Sequence, residues 1–159
     1  RSRKPQIELA AKYGIKEFPS PAGGCMLTEK GFGHRLEDVR DHGGLGDVRL
    51  VQLLLHGRHF RLPGGAKCIV GRNASDNRSL RQMTAEGDAV LCTVDVPGPT
   101  VLLPGGASEE DLTLALGMCA QYGDHTNRPQ VTVRVTRGGK SEERLVAPLP
   151  KEQFSAYLL

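Results

Sequence analysis

No tryptophan occurs in this 159-residue chain, and aromatic residues make up only 4% of it. A surface that stacks base after base on aromatic rings is therefore excluded, and phosphate and shape contacts are what the composition leaves for a polyanionic partner. No apolar run reaches the ~20 residues of a membrane-spanning helix, and no signal-peptide pattern is present. The four cysteines, Cys25, Cys68, Cys92 and Cys119, form no C-x-x-C pair. A structural zinc site or a thioredoxin-like motif is thereby removed. His34, His42, His56, His59 and His125 lie scattered without ligand spacing, so no metal is expected. No Ser-His-Asp order and no paired carboxylates occur either, so residues 1–159 run no chemistry alone.

Basic residues are missing from a long central stretch. Between Gln82 and Asn127 there is no Lys or Arg, against seven acids. From Val48 to Arg81 the balance inverts: Arg49, Arg58, Arg61, Lys67, Arg72, Arg78 and Arg81 stand against Asp76 alone. The net charge of +3 hides this split. Such a division suits a face that meets phosphate while the rest stays solvated. Dispersed surface charge gives the same count. With 38% hydrophobic residues the chain can build a core, as one domain plus an appendage. Its opening Arg1-Ser2-Arg3-Lys4, without Met, is expected of a piece of a longer chain. Cys68, Cys92 and Cys119 sit in apolar surroundings and read as core thiols, which fits a reducing cytoplasm.

Pro5 to Tyr13 reads as a short helix with Gly14 at its C-terminal end. Two prolines and two glycines then constrain the loop from Phe18 to Leu27, and Thr28 can cap a helix through Leu36 and Val39. Gly43-Gly44-Leu45-Gly46 is the expected hinge between residues 1–43 and 44–159. Asp47 caps a helix from Val48 to His56. Phe60 and Leu62 pair with Ala66 to Val70 as a hairpin across Pro63-Gly64-Gly65. Asn77 to Met83 is ambiguous between helix and loop. Ala89 to Val94 and Thr100 to Leu103 form a second strand pair, and Ser108 with Asp111 opens the most secure helix, ending at Gly123. Val131, Val133 and Val135 alternate with polar residues as a half-buried strand. The turn at Arg137 to Lys140 leads to a return strand at Leu145-Val146. Paired tight turns with interleaved helices give an α+β fold with a mixed, largely antiparallel sheet.

The stretch from Gly64 to Thr100 organises the chain. Cys68, Ile69 and Val70 form a buried strand, and Gly71 stops it. Arg72, Asn73, Ser75, Asp76 and Asn77 are thrown off its end, where a rigid strand would support functional groups. Asn and Ser also close turns on their own backbone, so the same residues suit a purely structural turn. Val70-Gly71-Arg72-Asn73, then Asn77, then Gly87-Asp88-Ala89-Val90-Leu91, then Asp95-Val96-Pro97-Gly98, resembles the NFACT-R RNA-binding domain family over about Gly64 to Arg137. That family has a V-G-R-N opening and a P-G-S-H turn. Here Val90 replaces a usual Trp, Cys92 a usual His, and Pro99-Thr100 the Ser-His pair. The resemblance implies binding of structured RNA such as tRNA. With the charge pattern it makes Arg72, Asn73, Asn77, Arg78, Arg81, Lys67, Arg58 and Arg61 the expected contact residues. Arg134 and Arg137 extend the basic face.

A second, shorter resemblance concerns the first forty residues. Leu9-Ala10-Ala11-Lys12, Gly24-Cys25-Met26-Leu27, Phe32 and Arg35-Leu36 are similar to the end of the catalytic domain in tRNA 2-thiouridylases and related PP-loop ATPases. The resemblance implies that Cys25 carries sulfur as a persulfide, with ATP bound by a loop upstream and a sulfur-donor protein as partner. Read from the residues alone, Cys25 is either a reactive thiol near a helix start or a small residue filling a tight loop. Two expectations follow. One is the tRNA-binding C-terminal region of an ATP-dependent tRNA thiolation enzyme, itself without a cofactor. The other is a non-catalytic module acting on tRNA or ribosomal RNA in ribosome-associated quality control.

Overall fold

A computed structural model describes residues 4–15, 30–126 and 128–159. Helix α1 (Lys4–Lys12) is exposed, and helix α2 (Lys30–Asp41) follows the undescribed 16–29 segment. A 3-10 turn (Gly44–Gly46) leads into α3 (Val48–Leu53), capped by Asp47, whose carboxylate accepts from the Arg49 amide. Then come β1 (Arg58–Arg61), β2 (Lys67–Val70), α4 (Ala74–Gln82), β3 (Ala89–Thr93), β4 (Thr100–Leu103), α5 (Glu109–Tyr122), β5 (Val131–Arg137) and β6 (Lys140–Val146). Two 3-10 turns, Lys151–Gln153 and Ser155–Tyr157, complete the fold.

The strands form one six-stranded sheet in the order β1-β2-β4-β3-β5-β6, with every pairing antiparallel. The α+β expectation is met, and the sheet is wholly antiparallel rather than mixed. Period-two alternation decides which layer each residue joins. Cys68, Val70, Leu91, Val101, Val133 and Val135 face α5 and pack with Leu112, Leu116 and Cys119. Ile69 and Leu102 face the other way, where Leu53 of α3 and Leu80 of α4 cover them. Phe154 closes the first layer edge-on to Phe60, with ring centroids 5.8 Å apart. The edge of β1 is covered by the C-terminal residues: Phe60 bridges Leu158, and the Leu159 amide donates to the His59 carbonyl. Covering an edge removes a template for pairing with other chains.

Several acids stitch separate segments together. Asp111 accepts from the amides of Gly64 and Ala66, at 2.9 and 3.0 Å, and so fixes the β1–β2 turn. Ser108 caps α5 through the Asp111 amide as expected, but the Asp111 carboxylate does not complete a capping box; it reaches the hairpin instead. Asp88 accepts from the amides of Ala85 and Gly105 and from Arg49 at 2.6 Å. Asp38 of α2 takes two bonds from Arg61 and one from Lys67. Cys68 and Cys119 are core thiols as expected, whereas Cys92 lies half-buried on the sheet face away from α5.

Candidate nucleic-acid interface

One end of the sheet gathers the start of β1, the end of β2, the β3–β4 turn, the first turn of α4 and the last turn of α5. Between them lies a concavity of about 310 Å³ lined by Arg58, Gly71, Arg72, Asn73, Ala74, Asn77, Gly98, Pro99 and Tyr122. Asn73 caps α4 by accepting from the Asp76 amide at 2.9 Å, which aims the helix's N-terminal amides at this space. Asn77 ties the helix to the turn. Its Oδ1 accepts from the Thr100 amide at 2.9 Å, and its Nδ2 donates to the Gly98 carbonyl at 3.4 Å. Gly71 must be glycine for this to happen, because a Cβ there would sit 2.1 Å from the Asn77 Oδ1. A Cβ on Gly98 would meet the Thr93 hydroxyl at 2.4 Å. Asn73 and Asn77 thus line the concavity and hold its walls together.

Arg72 is fixed within the same frame. Its Nε donates to Asp76 at 2.7 Å, a second nitrogen reaches the other carboxylate oxygen at 3.3 Å, and the Arg72 amide adds a third bond. Those hydrogen bonds, led by the guanidinium, hold the buried Asp76 carboxyl down at about 2. The second guanidinium nitrogen also reaches the Leu55 carbonyl at 3.4 Å, yet the Arg72 side chain remains 44% exposed and the residue lines the concavity. A planar guanidinium held this way is suited to an incoming phosphate.

On α4, Ala74, Arg78 and Arg81 fall at i, i+4 and i+7, one stripe running away from the concavity. Arg78 and Arg81 are exposed and have no carboxylate partner among the described residues. Arg58 is exposed too. Its guanidinium lies over the Tyr122 ring, 5.0 Å from the centroid, and the Lys151 ammonium approaches the same ring at 5.6 Å. Helix α5 has no basic residue in its last turn, so these two cations also complement its negative end.

Four expected contact residues are committed elsewhere. Lys67 is 7% exposed and lies with Arg61 around Asp38. Burial works to raise the Asp38 carboxyl, but the bonds from Arg61 and Lys67 overcome it and hold it near 2. Burial lowers the Lys67 ammonium in turn. Arg134 pairs with Glu143 at 2.8 Å on the sheet face away from α5, and Arg137 pairs with Glu109 of α5 on the other face. Tyr122 and Lys151 are the residues the sequence reading passed over. Tyr122 sits one helical step beyond Cys119 and reads as core, and Lys151 lies in a tail without periodicity. Cys25 falls outside the described residues. Cys68 and Cys119 are buried, and burial raises both thiols, Cys119 to about 12. No cluster of His, Cys, Asp or Glu able to hold a metal occurs among the described residues. Nor is any helix among them long and apolar enough to cross a membrane.

Fold and site together define an α+β domain with a cationic concavity at one end of an antiparallel sheet. The family model described as the NFACT protein RNA binding domain matches residues 57–158, and the chain belongs to that family. Among solved structures, the C-terminal part of the fibronectin/fibrinogen-binding protein from Streptococcus suis is similar, with a TM-score of 0.57 at 16% identity. The match covers 99% of this chain and 78% of that one, and at this identity the likeness is one of fold. No curated protein matches the chain.

Proposed function

We propose that this domain is a non-catalytic module that grips a structured RNA, transfer or ribosomal, in ribosome-associated quality control. The supporting observation is the arrangement of uncompensated cations. Within a family of RNA-binding domains, Arg58, Arg78 and Arg81 have no carboxylate partner among the described residues, while Arg61, Lys67, Arg134 and Arg137 are each answered by an acid. Counterion release makes such unpaired groups the ones that contribute to phosphate binding. The positive end of α4 and the open part of Arg72 lie at the head of the same stripe. For the thiolation enzyme, with Cys25 as sulfur carrier, ATP bound upstream and a sulfur-donor partner, none of the comparisons gives support. The non-catalytic reading is therefore preferred.

Titrating the 159-residue chain with tRNA at several salt concentrations tests this. Log affinity should fall linearly with log salt. Replacing both Arg78 and Arg81 by Ala should reduce the slope by about 1–2, at roughly 0.7–0.9 for each phosphate no longer neutralised. Replacing Arg134 and Arg137 by Ala should leave the slope nearly unchanged. Binding indifferent to salt, or equally sensitive to both pairs, would remove the α4 stripe from the interface.

A further inference from the structure

The concavity is shaped for more than a phosphate. Its outer wall is the Arg58–Tyr122 pair, a planar cation over an aromatic ring at 5.0 Å. That ring is anchored from below, edge-on to Phe154 at 5.8 Å, and Phe154 is edge-on to Phe60 in the core. Gly98, packed so closely against Thr93 and Gly123 that no Cβ fits, and Pro99 continue the lining. Arg72 and the first turn of α4 form the floor. A guanidinium backed by an aromatic ring, a backbone turn without side chain at Gly98, and an anion-binding end therefore line one concavity of about 310 Å³.

We propose that this concavity takes a single unpaired nucleotide of the RNA, its base laid against Arg58 and its phosphate on Arg72 and the α4 N-terminus. The proposal rests on the RNA-binding reading and narrows it. Bases inside a continuous duplex are stacked on their neighbours and show a protein only their edges, so a slot of this kind selects a bulge, a loop or a strand end. Arg58 suits the task because guanidinium groups stack on bases while remaining charged, and the Tyr122 quadrupole holds this one in place. The chain's few aromatics are no obstacle, since one ring supporting one arginine serves one base.

The test compares two hairpin RNAs that differ only in a single bulged 2-aminopurine, titrated against the 159-residue chain. The bulged hairpin should bind roughly tenfold more tightly, the scale of one base stack, and its fluorescence should fall on binding. Arg58→Lys keeps the charge but removes the plane. It should erase the preference and the fluorescence change, bringing the bulged hairpin down to the affinity of the fully paired one. Equal affinity of the native chain for the two hairpins, or a preference that survives Arg58→Lys, overturns the nucleotide slot and leaves the RNA-binding reading standing. If neither hairpin binds at low salt, both fall together.

Discussion

His59 shows how far a single residue's role depends on its neighbours. It sits in β1 with 1% exposure, its Nε2 against the His56 carbonyl at 2.8 Å and its Nδ1 without a partner among the described residues. Burial, aided by the nearby Lys67 charge, lowers its pKa from 6.5 to about 3. The folded protein therefore holds His59 neutral where the unfolded chain would protonate it. Its contribution is fully present above pH 6.5 and is lost as the pH falls from 6.5 towards 3, at about 1.4 kcal/mol per pH unit for one proton. Asp38 and Asp76, held at about 2, add their own loss only once the pH drops below their ordinary 3.8. Urea unfolding between pH 6.5 and 4.5 therefore isolates the histidine. Stability should decline across that window, and His59→Gln should flatten the decline. An unchanged slope in the variant would assign the acid sensitivity to another group. None of this is legible in the sequence, where His59 is one of five scattered histidines. Its hydrogen-bond partner is three residues upstream, but the charges around it come from α2 and from the adjoining strand.

At the scale of elements, legibility followed the strength of the apolar pattern. Helix α5, with Ser108 as cap and a continuous buried stripe, was readable to within a residue. Helix α4 was not, because Leu80 is its only buried apolar residue. What makes it a helix is the Asn73 cap and the Asp76–Arg72 pair, and such residues suit a turn equally well. Strand β6 was visible only at Leu145-Val146, since an edge strand carrying Lys140, Glu142, Glu143 and Arg144 lacks alternation. The motif asparagines were found by position, yet their structural duty was visible only in three dimensions. Gly71→Ala tests that duty. Its Cβ would displace Asn77 and break the bond to the Thr100 amide, costing about 1–3 kcal/mol through a buried unsatisfied group. Gly65→Ala, at a positive φ of 92° but in open space, should cost about 1 kcal/mol from backbone strain alone. Denaturant midpoints that rank the two the other way would show that Asn77 does not hold the turn.

For the whole molecule, the sequence carried the charge split but not its cancellation. Seven basic residues clustered between Val48 and Arg81 suggested one continuous face, and folding divides them. Arg49 goes to Asp88, Arg61 and Lys67 go to Asp38, and the remaining cations lie around α4 and Tyr122. The Asp38 cluster also bears on where the folding unit begins. Gly43 to Gly46, expected as a hinge between two parts, contains a 3-10 turn against which Leu50 and Val39 pack closely at Gly44. Asp38 itself reaches across from α2 to β1 and β2. We propose that α2 and α3 unfold with the sheet as one unit. Asp38→Asn would leave the largely buried Lys67 facing Arg61 without their shared carboxylate. The expected cost is about 3 kcal/mol, the lower end for breaking a buried pair, since Arg61 keeps some contact with water. Two probes read the two sides separately: tryptic cleavage after Arg40 in α2, and alkylation of Cys68 in β2, both followed against urea. The two transitions should coincide in the native chain and move down together in the variant. Cleavage at Arg40 while Cys68 stays protected, with no shift of the Cys68 transition in Asp38→Asn, would restore a true boundary after residue 43.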